Sequence, residues 1–318
     1  MMQMALIGLG AGAASALLFA SIISGTPFSI ILAYLAPLPI LIAAIGWSHW
    51  AGLVAALAAG IGLAAAFGNP LFLVSFLVAT GLPAWWLGYL TLLGRSGVEG
   101  TMEWYPPARL LLWCAAVSAV MIIIVVPTFG LNEESFRTGL QSFFERALRD
   151  GNTGASPSAD LSSEDIKRLV DAFIKIMPPI AAGVSTLINA INLYLAARIV
   201  KVSGRLRRPW PDLHVMRFPA AAHAAFALSF VLWFVPGAVG MAGGAVWAAL
   251  TVAYGILGMA VMHAVTRSFG SRTFILSTLY VVLVLFWPII ILLAFIGVAD
   301  AIFDFRSRAG PGKPPALT

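Results

Sequence analysis

Apolar runs of about 20 residues follow one another along almost the whole chain, and one long polar stretch, residues 131–167, interrupts them. At about 1.5 Å per residue, a helical run of that length crosses a hydrocarbon layer of about 30 Å. Eight of the 13 acidic residues lie in or just beyond the polar stretch: Glu133, Glu134, Glu145, Asp150, Asp160, Glu164, Asp165 and Asp171. Charged residues make up 10% of the chain and mean hydropathy is +0.95. Soluble domains carry about 25% charge, and water could not cover this much apolar surface. The runs are continuous rather than alternating, which selects helices over a barrel. The expected fold is therefore all-α: a polytopic transmembrane helical bundle of about eight to nine spans, with an extracytoplasmic amphipathic helical hairpin.

Spans are expected at about 4–24, 28–46, 49–67, 70–93, 108–130, 176–199, 219–240, 243–266 and 274–298. Gly25-Thr26-Pro27, Gly68-Asn69-Pro70 and Gly130 read as turns between them. Four regions result: a five-helix membrane region (1–130), the hairpin (131–175), a membrane region of about four helices (176–305) and a basic tail (306–318). Met1-Met2-Gln3 lacks the positive start of a signal peptide, so the first span reads as a retained helix.

The net charge of +6 comes from short loops, where the positive-inside pattern explains it without nucleic acid. Arg198, Lys201, Arg205, Arg207, Arg208 and Arg217 surround one loop, which should be cytoplasmic. Counting back places the N-terminus in the cytoplasm and the acidic segment outside. Nine spans would then put Arg306, Arg308 and Lys313 outside, against the rule. Either the tail is a tolerated exception or one late segment does not fully cross.

Within the acidic segment, residues 134–149 align Phe136, Leu140, Phe143, Phe144, Ala147 and Leu148 on one helical face. Residues 163–177 align Ile166, Leu169, Val170, Phe173, Ile174 and Met177. A flexible Asp150–Pro157 loop joins them. The pair could pack together, lie on the outer leaflet, or cap a cavity.

Three features could carry function. Gly8, Gly12, Ala16 and Ala20 on the first span, and Gly52, Ala56, Gly60 and Ala64 on the third, recur every four residues. Such small faces let helices approach closely, inside the chain or against another membrane subunit. On the sixth span Ser185, Asn189 and Asn192 share a polar face with Tyr194 nearby. That face either bonds to neighbouring helices or lines a substrate cavity. Pro37 and Pro39 break the second span, and broken membrane helices are covered by protein or line a cavity.

Other chemistry has little support in the residues. His49, His214, His223 and His263 lack metal-ligand spacing, and Cys114 is alone, so no metal and no cofactor is expected. No span carries a mid-membrane acid, no phosphate-binding loop is present, and no catalytic constellation can be assembled, so the chain does not read as an enzyme.

The ending Gly297–Arg308, the stretch Asn192–Arg198 running to Pro209-Trp210-Pro211-Asp212-Leu213, and Leu35-Ala36-Pro37-Leu38-Pro39 resemble the YybS-like family, bacterial inner-membrane proteins of unknown function. That family is distantly similar to S components of energy-coupling-factor transporters, whose first helix docks a coupling subunit through small residues. The resemblance implies a multi-pass protein of the bacterial inner membrane. The expected function is small-molecule or lipid binding within a transport system that lacks its own ATPase, with the bilayer, another membrane subunit or an ATPase complex as partners. The alternative is a membrane scaffold or assembly factor without a ligand.

Overall fold

A computed structural model describes residues 2–97, 101–125, 138, 163–212 and 216–308. The expected first hairpin helix, the loop after it, Gly130 and His214 lie outside the described residues, Thr138 apart. Among the described residues seven helical segments are long and apolar enough to cross a bilayer: Met2–Ser24, Pro27–Gly46, His49–Phe67, Leu71–Thr91, Pro107–Val125, Lys175–Val202 and Ala238–Val265.

The first half holds α1 (Met2–Ala20), α2 (Pro27–Tyr34), α3 (Pro37–Gly46), α4 (His49–Phe67), α5 (Leu71–Phe76), α6 (Leu82–Thr91) and α7 (Pro107–Val125). The turn residues act as read. Gly25 and Gly68 adopt left-handed φ of 65° and 62° after α1 and α4. Thr26 caps α2 by accepting the Ser29 amide, with Pro27 at the first helical position. Pro83 cannot donate to the ladder, and a π-helical turn, Leu77–Gly81, precedes it and joins α5 to α6. Between α6 and α7 the chain makes a small antiparallel pair, β1 (Gly94–Ser96) with β2 (Met102–Trp104), in which Arg95 faces Glu103.

The second half holds α8 (Ser163–Val202), α9 (Ala220–Trp233), α10 (Ala238–Val265), α11 (Arg272–Leu285), α12 (Ile289–Phe303) and the one-turn α13 (Phe305–Arg308). The apolar stretch 163–177 is not a separate hairpin helix. It is the start of α8, which runs unbroken for 40 residues through Pro178 and Pro179. At about 60 Å, α8 is twice the hydrocarbon thickness, so its polar start projects beyond the bilayer. Buried apolar side chains form two clusters. One gathers α3, α4, α6 and α8, the other α7, α9, α10 and α12. Side chains of α7 and α8 enter both clusters, which makes these two helices the seam.

The segment expected as one span at 274–298 is instead α11 and α12, broken at Phe286–Pro288. Both of its ends lie at the basic loop. His263, near the end of α10, lines a pocket with Trp210, Pro211 and Asp212. After α12, Asp304 Oδ1 accepts from Arg217 Nη2 at 2.6 Å. The pair therefore leaves and returns to the same end of the bundle. This removes the conflict over the tail, because Arg306 joins the other basic loops. A fluorescent protein fused after the last residue should glow from the same side as one fused before Met1, and alkaline phosphatase fused there should be inactive. An active phosphatase would show that 272–303 crosses fully.

Candidate functional site

The polar face of α8 is spent on neighbouring helices. Asn189 Nδ2 donates to Ser118 Oγ of α7 at 3.0 Å, and that hydroxyl donates to the Cys114 carbonyl. Asn192 Nδ2 donates to the Tyr34 carbonyl and to its own Ile188 carbonyl, both at 2.9 Å. Ser185 is half-buried and distant in role from both.

The reason for Asn192 lies in the proline break. Pro37 and Pro39 have no amide hydrogens, so carbonyls at the α2–α3 junction lose their helical donors. Asn192 supplies one to Tyr34, and Ser15 Oγ of α1 supplies another to Ala36 at 2.6 Å. Pro37 is buried and Pro39 half-buried. The broken span is thus covered by protein, with its freed backbone satisfied by side chains from two other helices. The structure brings Asn192, Pro37 and Pro39 together, as a junction. The buried Oδ1 of Asn192 has no partner there.

The small ladders meet each other. A side chain at Gly8 would strike Val54 at 2.7 Å, and one at Gly12 the Ala55 carbonyl at 2.7 Å, so α1 packs along α4. From α4, Gly52 faces Ala44 of α3, Gly60 faces Leu73 of α5, and Ala56 is fully buried. Ala16, Ala20 and Ala64 are half-buried. The face that Gly8 and Gly12 form is therefore used inside the chain.

A cleft opens at the seam. Between α7, α8 and α10, at the end that carries the basic loop, two pockets adjoin with volumes of about 550 and 750 Å³. Both sizes suit a bound small molecule. Leu110 and Cys114 of α7, Leu187 and Ile191 of α8 and Ile256 of α10 wall the deeper pocket. Ile256, Tyr194, Trp210, Pro211, Met216 and Tyr280 are common to both, and Asp212 and His263 line the outer one. Of the six residues proposed from sequence for a substrate site, only Tyr194 lines this cleft.

Arg208 sits at its rim. Gly204, at a left-handed φ of 68°, ends α8 and turns the loop back across the bundle. Arg205 then lies over the Trp47 ring at 4.5 Å, and Arg207 donates to the Trp47 carbonyl. Arg208 donates to the carbonyls of Tyr105 at 3.1 Å and Thr91 at 3.4 Å. It is only 8% exposed, its Nε has no partner, and among the described residues it forms no ion pair. Burial pushes its pKa below the ordinary guanidinium value, yet the group stays charged. Among the described residues two neutral carbonyls are its compensation. Beside it, Arg198 and Lys201 lie over the Trp210 ring at 5.5 and 4.7 Å, and Tyr194 meets that ring edge-on. Sequence reading used these cations only for orientation. Trp210 between two prolines, just after a basic cluster, was the available signal.

The family described as predicted membrane protein (DUF2232) matches residues 13–301, so the chain belongs to that family. No curated protein and no solved structure matches it.

Proposed function

We propose that this member of a membrane-protein family binds a small apolar-tailed molecule or lipid in the cleft between α7, α8 and α10, on the cytoplasmic side. The observation that carries the reading is an apolar cleft of about 550 Å³ with a buried, charge-uncompensated arginine at its rim. Apolar walls with a few convergent polar groups are the usual form of a ligand site. The placement on the cytoplasmic side follows from the positive-inside rule applied to the basic loop. A role as the recognition part of a transport system, with a separate ATPase as motor, rests on the likeness to S components. Because Gly8 and Gly12 are packed on α4, a coupling subunit would have to dock on another face.

Filling the cleft tests the binding. Ala197 lines it and is half-buried. In native mass spectrometry from its own membranes, the wild type should carry a small molecule or lipid that Ala197→Phe loses while remaining folded. Equal occupancy in both would remove the site. A wild type bound only to other envelope proteins would favour the scaffold reading, and a co-purifying ATPase would support transport.

A further inference from the structure

Resting on the binding reading above, we infer that the cleft takes an anionic phospholipid, with its phosphodiester at Arg208 and its acyl chain on the apolar wall of α7 and α8. Three observations on the cleft lead there.

The first is charge. Among the described residues Arg208 is buried without an ion pair, and Arg198 and Lys201 lie over the Trp210 ring and form no ion pair. An arginine fork matches the oxygens of a phosphodiester or carboxylate. The Trp210 ring under Arg198 and Lys201 lines the same cleft as Arg208, so this end of the cleft is positive and suits the phosphodiester of an anionic lipid. Asp212 lines only the outer pocket.

The second is access. Leu187, Ile191 and Tyr194 line the cleft and remain 39%, 46% and 48% exposed. They belong to a membrane-spanning helix, so the cleft opens sideways into the lipid. An amphiphile can enter there without its tail meeting water, whereas a free water-soluble anion would gain nothing from these walls.

The third is depth. Trp210 and Tyr194 lie in contact at the rim. Aromatic rings of this kind settle at the level of lipid headgroups, which is where a phosphate would stand with its chain pointing inward.

The test uses the full chain, delipidated in a mild detergent and offered dioleoylphosphatidylglycerol, dioleoylphosphatidylcholine, oleate or inorganic phosphate, with bound species counted by native mass spectrometry. The wild type should retain phosphatidylglycerol about tenfold better than phosphatidylcholine, a preference of the size that a few unpaired cations near a membrane surface supply. Arg208→Gln should reduce that preference to near parity. Arg95→Gln, which removes an exposed cation already paired with Glu103, should keep it. If Arg208→Gln does not stay monodisperse, the double variant Arg198→Gln/Lys201→Gln carries the same reading, with an expected loss of about threefold or more. An unchanged preference in both overturns the inference. So does equal retention of the two phospholipids, tighter binding of oleate, or binding of inorganic phosphate that competes without a tail. If both phospholipids bind equally and Ala197→Phe expels both, the cleft still binds lipid and only the headgroup assignment fails. If the wild type retains no lipid at all, the binding reading fails with it.

Discussion

Replacing Gly258 by alanine should cost this protein much of its stability, whereas the same change at Gly62 should cost nothing. A Cβ at Gly258 would run into the carbonyl oxygen of Leu293 on α12, and backbone cannot rotate away as a side chain can. Around it, Gly255 meets Ile290, and Gly297 meets the Tyr254 carbonyl at 2.5 Å, so α10 and α12 touch backbone to backbone. In lipid no hydrophobic effect holds two helices together, and such close contact is what does. Separating them forfeits packing along the whole crossing. Overpacking costs about 1–3 kcal/mol and occasionally more, and we expect the upper end. At Gly62 a Cβ meets nothing within 4 Å, and alanine is the better helix former by about 1 kcal/mol. Thermal unfolding in detergent should therefore show Gly258→Ala melting well below the wild type, and Gly62→Ala at or slightly above it. Equal melting of the two would mean that α10 and α12 do not cross as described.

Asp300 carries the second large effect. Its carboxylate is 2% exposed and accepts from Arg306 three times, through the backbone amide at 3.2 Å, Nε at 2.8 Å and Nη2 at 2.6 Å. The Arg306 side chain is itself only 9% exposed. Asp304, at a left-handed φ of 49°, makes the turn that brings Arg306 back to Asp300. Removing one member of such a pair leaves a buried charge alone, at a cost of about 3–5 kcal/mol. Asp300→Ala should therefore lower the unfolding temperature strongly. The double change Asp300→Ala/Arg306→Met should recover most of the loss, because no charge is then stranded. If the double variant is as unstable as the single one, the effect belongs to packing around α12 and not to the ion pair.

How much could be read beforehand differs from residue to residue. Pro37 and Pro39 announced a broken span, because a missing amide hydrogen is a local fact. That Asn192 and Ser15 repair the break was not legible, since those donors lie 158 and 21 residues away in sequence, on other helices. The ladders on α1 and α4 were visible by their regular spacing. The tighter approach at Gly255, Gly258 and Gly297 was not, because the three do not share one spacing and sit on two helices. The ending Gly297–Arg308 served in the sequence as a mark of family resemblance, and that its Asp304 reaches Arg217 in a loop before α9 was not legible there.

Arg208 shows the same divide most clearly. As one letter in a basic cluster, it served to orient the chain. Its burial, its two carbonyl partners at Thr91 and Tyr105, and its place beside an apolar cleft depend on the loop after α8 meeting the α6–α7 connection at one end of the bundle.

Composition and run length settled that the chain is a helical membrane protein, because hydrocarbon solvates apolar side chains and forces every backbone group into a helix. Proline and glycine placed most of the breaks, because their effect on the backbone is confined to the next turn. Whether 272–303 crosses or returns, and where a cleft stays open, only the tertiary structure decided. Both depend on which faces meet, and in a chain apolar on nearly every face the residues at each contact are chosen by close fit and by a few polar partners far apart in sequence.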